Sequence, residues 1–282
     1  MFNSEKGIEI RSVKNSVDSL NIKPPLKWAG GKRWLSEEIR RIWYPFKNLK
    51  YIEPFCGGLS VALMLGPDTA LLNDVNPHLI NFYVNLKQGF SIEMEMKNER
   101  SFYYEKRKQF NDSIDAGRIN ERTQASLFYY LNRTCFNGLC RFNNSGHFNV
   151  PFGRYKRIKY RQDFSIYKEK FEKWSFTCVD FERIDIDGAV FIYADPPYDV
   201  EFTKYATEDF TWSDQIRLIR WLDKQDGPIA VSNQATDRIK NIYLDHGYNV
   251  SNISAPRFIN ANGDRSRVIE ILATKNIRFP KI

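Results

Sequence analysis

Asp195-Pro196-Pro197-Tyr198 is the stretch of this 282-residue sequence whose residue types and spacing best fit chemistry. It follows the apolar run Val190-Phe191-Ile192-Tyr193, which reads as a strand. Ligands of open α/β sheets bind beyond the carboxyl ends of such strands. Two prolines fix the backbone and carry no N–H, which aims the Pro196 carbonyl outward. An ionised Asp195 is an acceptor only, so it and that carbonyl can hold both hydrogens of an exocyclic amine. Tyr198 offers a flat ring on which a base can stack. An amine conjugated to an aromatic ring is a poor nucleophile because its lone pair is delocalised. Two acceptors on its hydrogens favour a pyramidal nitrogen, whose lone pair can point at an electrophilic methyl group without a covalent intermediate or a metal. An ordinary turn after a strand would carry the same four residues, so the tetrapeptide alone leaves both readings open.

The elements that would position it alternate. Tyr51–Phe55 reads as a strand running into Gly57-Gly58, followed by a helix from Val61 to Leu65. Thr69–Leu72 is a second strand ending at Asn73-Asp74, and a helix over Pro77–Lys87 packs back. This βαβα order signals a parallel sheet. Leu35, Ile39 and Ile42 recur at helical spacing between Gly31 and Trp43. Residues 89–173 break the pattern with charged helical segments and an Asn- and Gly-rich loop, 137–154. The alternation then resumes, with strands near 176–179, 189–193, 229–231, 248–254 and 268–274, and helices over 213–224 and 236–246. The expected organisation is an α/β domain from residues 22–88 and 174–282, a mainly helical module inserted at 89–173, and a loose tail at 1–21.

Composition narrows the partner. Hydrophobic residues make up 42% of the chain and aromatics 15%, as expected of a folded protein. No apolar run approaches the roughly 20 residues of a membrane span, so no membrane partner is expected and a cytoplasmic location is. Cys56, Cys135, Cys140 and Cys178 form no CxxC pair and only three histidines accompany them, so no metal site is expected. The net charge of +8 suits a polyanion. Five cations and two tyrosines interleave between Gly153 and Arg161, a candidate phosphate-contacting surface.

Asp195–Tyr198, so placed, resembles motif IV of the amino-methyltransferases that modify DNA. An initial Asp there usually accompanies adenine as target, Ser cytosine N4, and Asn protein-glutamine or RNA methylation. Glu53-Pro54-Phe55-Cys56-Gly57-Gly58 resembles motif I of that family, which receives S-adenosylmethionine. Its glycines let backbone approach a ligand, and it is not the dinucleotide GxGxxG. Asp74, at a strand end 21 residues after Glu53, is suited to accept from ribose hydroxyls. Pro25–Lys32 resembles motif X. The resemblance implies that Trp28, Ala29, Gly30 and Lys32 meet the methionine end of the cofactor, the lysine pairing with its carboxylate. Val179-Asp180-Phe181-Glu182 resembles motif III, which would place Asp180 and Phe181 at the cofactor's adenine. The order X, I, insertion, IV is the alpha arrangement, and the likeness spans roughly residues 24–275. It implies the class I S-adenosylmethionine-dependent methyltransferase fold, an α/β fold with a mostly parallel seven-stranded sheet and helices on both faces.

The block from Leu131 to Lys156 resembles the recognition hairpin of the Dam family, which methylates adenine in GATC. The resemblance assigns Arg141 to a guanine, Leu139 and Pro151 to thymine methyls, Phe136 to a wedge in the base stack and Lys27 to the outer guanine. Arg133, Asn137, Asn149, Arg154 and Lys156 complete the expected DNA-contacting set. Phe136 departs from the Tyr expected there. Arg265 and Arg267 fit phosphate contact and loop solubility equally. The implied protein is a monomeric, bacterial or phage-encoded enzyme that flips adenine out of double-stranded DNA. GATATC or another GAT-containing site, with a cognate restriction endonuclease as partner, stays open. So do RNA or protein amine methylation and a non-catalytic DNA-binding regulator.

Overall fold

The computed structural model describes residues 22–198, 210–256 and 268–277. The expected tail at 1–21, Arg265 and Arg267 lie outside the described residues. In chain order the helices and strands are α1 (Ser36–Trp43), β1 (Lys50–Glu53), α2 (Ser60–Leu65), β2 (Ala70–Asn73), α3 (Pro77–Lys87), α4 (Arg100–Asp115), α5 (Arg122–Thr134), α6 (Ser165–Lys170), β3 (Trp174–Thr177), β4 (Val190–Ala194), α7 (Trp212–Leu222), β5 (Ile229–Gln234), α8 (Asp237–Asp245), β6 (Asn249–Ala255) and β7 (Val268–Lys275). The strands form one seven-stranded sheet in the order β3-β2-β1-β4-β5-β7-β6. All neighbours pair parallel except β7, which runs antiparallel to both β5 and β6. This is the class I methyltransferase architecture expected from the sequence.

Burial on both faces explains the apolar central strands. Successive side chains point to opposite faces: Tyr51, Phe191 and Tyr193 join one hydrophobic cluster, Ile52, Ile192 and Ala194 the other. The second cluster closes under α7 and α8 through Leu218, Leu222, Ile239 and Tyr243. The first lies under α1, α2 and α3 and continues without a break into residues 88–173, which intervene between α3 and β3. There Phe82 of α3 stacks on Tyr129 of α5, with ring centres 5.6 Å apart. Helix starts follow local chemistry. Asn76 accepts from the N–H groups of His78 and Leu79 ahead of Pro77, and Thr211 and Asp214 form a capping box on α7.

Three details differ from expectation. The helix anticipated from Gly31 starts only at Ser36, after a 3-10 turn over Arg33–Leu35; the Lys32 N–H ahead of it donates to Ser60 Oγ. β5 runs three residues past Val231, since the polar Ser232 and Asn233 are buried with partners of their own. The expected recognition hairpin has no regular ladder among the described residues, only isolated antiparallel bridges at Phe142–Phe148 and Cys135–Phe152. Its chain reversal lies at Asn143–Gly146, where Asn143 Oδ1 accepts from the N–H groups of Ser145 and His147. Asn137-Gly138 is a separate turn with φ of 54° and 66°. No described helix is long and apolar enough to cross a membrane.

Candidate active site and nucleic-acid interface

Asp195 stands one residue past β4, so the strand delivers its carboxylate to the carboxyl edge of the sheet. Lys32 Nζ, from the segment ahead of α1, lies 3.0 Å from Asp195 Oδ1. The same ammonium donates to Tyr198 OH at 2.7 Å and to the Gly30 carbonyl at 3.2 Å, and stands 3.7 Å from Glu270 on β7. Burial raises the Asp195 carboxyl above the usual range, opposed by Lys32 and by Ser232. Burial and the nearby Asp195 charge push the Tyr198 hydroxyl up, so it remains protonated. Gln215 of α7 donates to the Pro197 carbonyl at 3.0 Å and is itself held by Asn233 of β5. No donor among the described residues takes the Pro196 carbonyl.

A cavity of about 850 Å³ opens in front of this group, lined by Trp28, Ala29, Gly30, Lys32, Tyr198 and Glu270 among others. Asp195 does not line it but is tied to its lining through Lys32, its side chain 22% exposed. Lys32 and Glu270 are both buried. The cavity therefore presents an ammonium, a carboxylate, a phenol and an indole to one volume, a set suited to a zwitterionic or aromatic ligand.

The loop after β1 is built for close approach. Trp28 lies across Gly57 and Gly58: a Cβ at Gly58 would fall 2.6 Å from Trp28 Cβ. Asp74, beyond β2, accepts from Gly57 N–H through Oδ2 and from Asn76 N–H through Oδ1, each at 3.0 Å. Burial raises its carboxyl all the same. Val75 beside it is 64% exposed, an apolar surface at the mouth of the same loop. Pro54 is buried, and its carbonyl accepts from Asn73 Nδ2. Glu53 faces inward: Tyr51 donates to it, and burial pushes its carboxyl up to about 8. Phe55 and Phe181 pack ring to ring at 5.6 Å. Asp180 accepts from the Glu182 N–H and from Arg217 of α7 at 2.9 Å. Both bonds fall on Oδ1, and Oδ2 has no donor among the described residues.

Most of the residues expected at DNA lie at the surface. Phe136 is 48% exposed; Asn137, Arg141, Pro151, Arg154 and Lys156 are exposed as well. Leu139 is half-buried. Arg141 Nε donates to Asn149 Oδ1 at 2.7 Å, which leaves its two Nη groups without a partner among the described residues. Arg133, by contrast, spends its guanidinium on the Lys159 carbonyl. Lys27 Nζ lies 3.8 Å from the centre of the Tyr155 ring, and burial and Arg133 lower its pKa.

Sequence reasoning missed the buried polar residues that hold these groups: Asn73, Asn132, Gln215, Ser232, Asn233 and Glu270. Asn73 alone donates to the Pro54 and Val179 carbonyls and accepts from Thr177 and the Val179 N–H, tying β2 to the loops after β1 and β3. The one available signal was polar residues continuing an apolar strand, as at Ser232 and Asn233.

Comparison with known proteins gives a family match over residues 28–257, to the D12 class N6 adenine-specific DNA methyltransferases. A DNA adenine methylase of Vibrio cholerae serotype O1 is 38% identical over 271 residues, covering 88% of this chain and 94% of that protein. The retron Ec67 DNA adenine methylase of Escherichia coli is 32% identical, covering 90% and 91%. The type II methyltransferase M.MjaIII of Methanocaldococcus jannaschii is 32% identical, covering 88% and 96%.

Proposed function

The chain belongs to the D12 class N6 adenine-specific DNA methyltransferases, and from that premise we propose that it methylates the adenine of GATC after turning that base out of the duplex. Asp195 and the Pro196 carbonyl accept the two amine hydrogens, and Tyr198 stacks on the base. As the nitrogen attacks it gains positive charge, which the Asp195 carboxylate stabilises at short range in a partly desolvated site. The observation that carries this reading is the placement of Asp195 past the end of β4, held by Lys32, which with Tyr198 lines a roomy cavity.

Membership of the family implies S-adenosylmethionine as donor, and the donor set fits it. Lys32 would pair with its carboxylate, Asp74 with its ribose hydroxyls, and Val75 and Phe181 would border its adenine. Gly57 and Gly58, where a Cβ would collide with Trp28, let that side chain close against the loop and would form the cradle together with it. When bound, S-adenosylmethionine supplies an electrophilic methyl group. The protein's part is to orient the amine, exclude water and accept its hydrogen bonds.

Sequence reading falls to the exposed block around Arg141. Its free Nη groups, steadied through Nε by Asn149, suit the O6/N7 edge of guanine, a contact that discriminates by roughly 1–3 kcal/mol. Phe136 is exposed where a wedge would offset the few kcal/mol of unstacking the adenine. The enzyme acts as a monomer on double-stranded DNA in the cytoplasm. The test is transfer of labelled methyl from S-adenosylmethionine to duplexes that differ only in the site. GATC is expected to be labelled at adenine and GATATC not. Equal labelling of duplexes lacking GATC would overturn the assignment of the site. The likeness to a protein named as a type II methyltransferase supports a second reading, modification beside a cognate restriction endonuclease.

A further inference from the structure

Two donors converge on one oxygen of Asp195. Lys32 Nζ lies 3.0 Å from Oδ1, and Ser232 Oγ donates to that same Oδ1 at 2.8 Å. Ser232 is fully buried on β5, and its hydroxyl lies 2.8 Å from Tyr193 OH, buried on β4. A hydroxyl has a single hydrogen, and an ionised carboxylate has none to give. Ser232 therefore spends its hydrogen on Asp195 and receives that of Tyr193. The hydrogen bonds run one way, Tyr193 to Ser232 to Asp195. Oδ2 has no donor among the described residues.

We infer that Ser232 is a positioning residue for methyl transfer: backed by Tyr193, it pins Oδ1 and leaves Oδ2 turned toward the substrate amine. The inference rests on the reading of Asp195 as the amine acceptor. The need for such a pin is physical. The terminal torsion of aspartate is broad and roughly two-fold, so an unheld carboxylate spreads its acceptor over many directions. Lys32 alone fixes it poorly, because a flexible stem carries an ammonium that it shares with Gly30 and Tyr198. Ser232, in a strand interior, has no such freedom. It is a positioning rather than a catalytic residue, since the oxygen it touches is the one turned away from the reacting nitrogen.

The test uses the full chain, a GATC duplex and labelled S-adenosylmethionine, with single-turnover rates followed through the acid limb of the pH profile. Ser232→Ala is expected to slow methyl transfer roughly 10- to 100-fold, the usual cost of losing a hydrogen bond to a charged group. KM for DNA and the thermal shift given by S-adenosylmethionine should not move. The acid limb should move to higher pH, because the hydroxyl favours ionised Asp195. Tyr193→Phe should shift rate and limb the same way by less, and Ser232→Thr, which keeps the hydroxyl, should recover both. If Asp195→Ala is inactive while Ser232→Ala keeps the wild-type rate and limb, the inference fails and the reading of Asp195 stands. If Ser232→Ala is slow with its acid limb unmoved, the residue only packs, and the inference is again overturned. If Asp195→Ala itself stays active, the underlying reading fails first.

Discussion

Asn132→Asp strikes the joint between the segment carrying Lys27, Trp28 and Lys32 and the insertion. From α5, Asn132 accepts the Lys27 N–H through Oδ1 at 2.9 Å and donates through Nδ2 to the Lys27 carbonyl at 2.8 Å and the Gly138 carbonyl at 3.3 Å. The side chain is buried, 2% exposed. Aspartate keeps the volume and the acceptor but has no donors, so both carbonyls are left facing an oxygen. Each buried acceptor stranded in this way costs about 1–3 kcal/mol. The Gly138 bond is long, and Lys27 is only half-buried. The loss therefore belongs near the low end, about 2–4 kcal/mol, against the ~5–15 kcal/mol of a typical domain. The protein should stay folded and become visibly weaker. Urea unfolding should show a lower midpoint at unchanged slope. Discrimination against a duplex whose outer guanine is replaced should fall, because the Lys27 backbone loses one of the two bonds that anchor it. A variant with the wild-type midpoint and undiminished discrimination would refute the claim that this side chain locks the two segments together.

Three further changes test separate parts. Arg141→Ala should relax sequence choice by roughly 5- to 150-fold, the equivalent of one bidentate guanine contact, while the thermal shift by S-adenosylmethionine stays as it was. Gly58→Ala forces a Cβ to within 2.6 Å of Trp28 Cβ, an overpacking worth about 1–3 kcal/mol. It should weaken S-adenosylmethionine binding measured by calorimetry, and an unaltered affinity would argue against the cradle. Glu53 has its carboxyl raised from 4.5 to about 8 by burial. A raised native value means that the folded state holds a proton the unfolded chain has already released. Stability from this group is therefore full below about 4.5 and is lost as pH rises toward about 8. Glu53→Gln cannot titrate, so the stability gap between variant and wild type should widen in the variant's favour across that window. Parallel urea midpoints for both proteins would contradict it.

The elements were legible because the sheet is buried on both faces: a run such as Val190–Ala194 has almost no alternative to a central strand. Asp195–Tyr198 and Asp74 were expected beyond strand ends, where ligands of α/β sheets bind, and they stand past β4 and β2. The block around Arg141 turns twice. Asn137-Gly138 carries the usual signal, yet Asn143 satisfies the backbone at the actual reversal through its own side chain. The Arg217 bond to Asp180 could not be foreseen, because Arg217 lies 37 residues on and meets Oδ1 only once α7 has packed. Ser232, Asn132 and Gln215 were invisible for the same reason. A buried polar residue is defined by its partner, and Asp195 for Ser232, Lys27 for Asn132 and Pro197 for Gln215 lie 18 or more residues away.

The segment from Lys27 to Lys32 touches three parts of the molecule within six residues, and that proximity bears on how recognition reaches chemistry. Lys27 is clamped to α5 by Asn132, beside the recognition block. Trp28 lies across the glycine loop after β1. Lys32 is bonded to Ser60 at the start of α2 and to the Asp195 group. A shift of α5 or of the loop around Gly138 on meeting DNA would move the Lys27 backbone, and a chain this short has no slack to absorb that before Trp28. Displacement at the DNA side should therefore be felt as altered cofactor affinity, and by reciprocity cofactor binding should alter DNA affinity by the same factor. In Asn132→Asp the clamp keeps only its acceptor half while both proposed binding surfaces remain. That variant should bind DNA with an affinity less dependent on S-adenosylmethionine than the wild type does. A coupling factor equal to the wild-type value would mean that communication runs through the sheet instead.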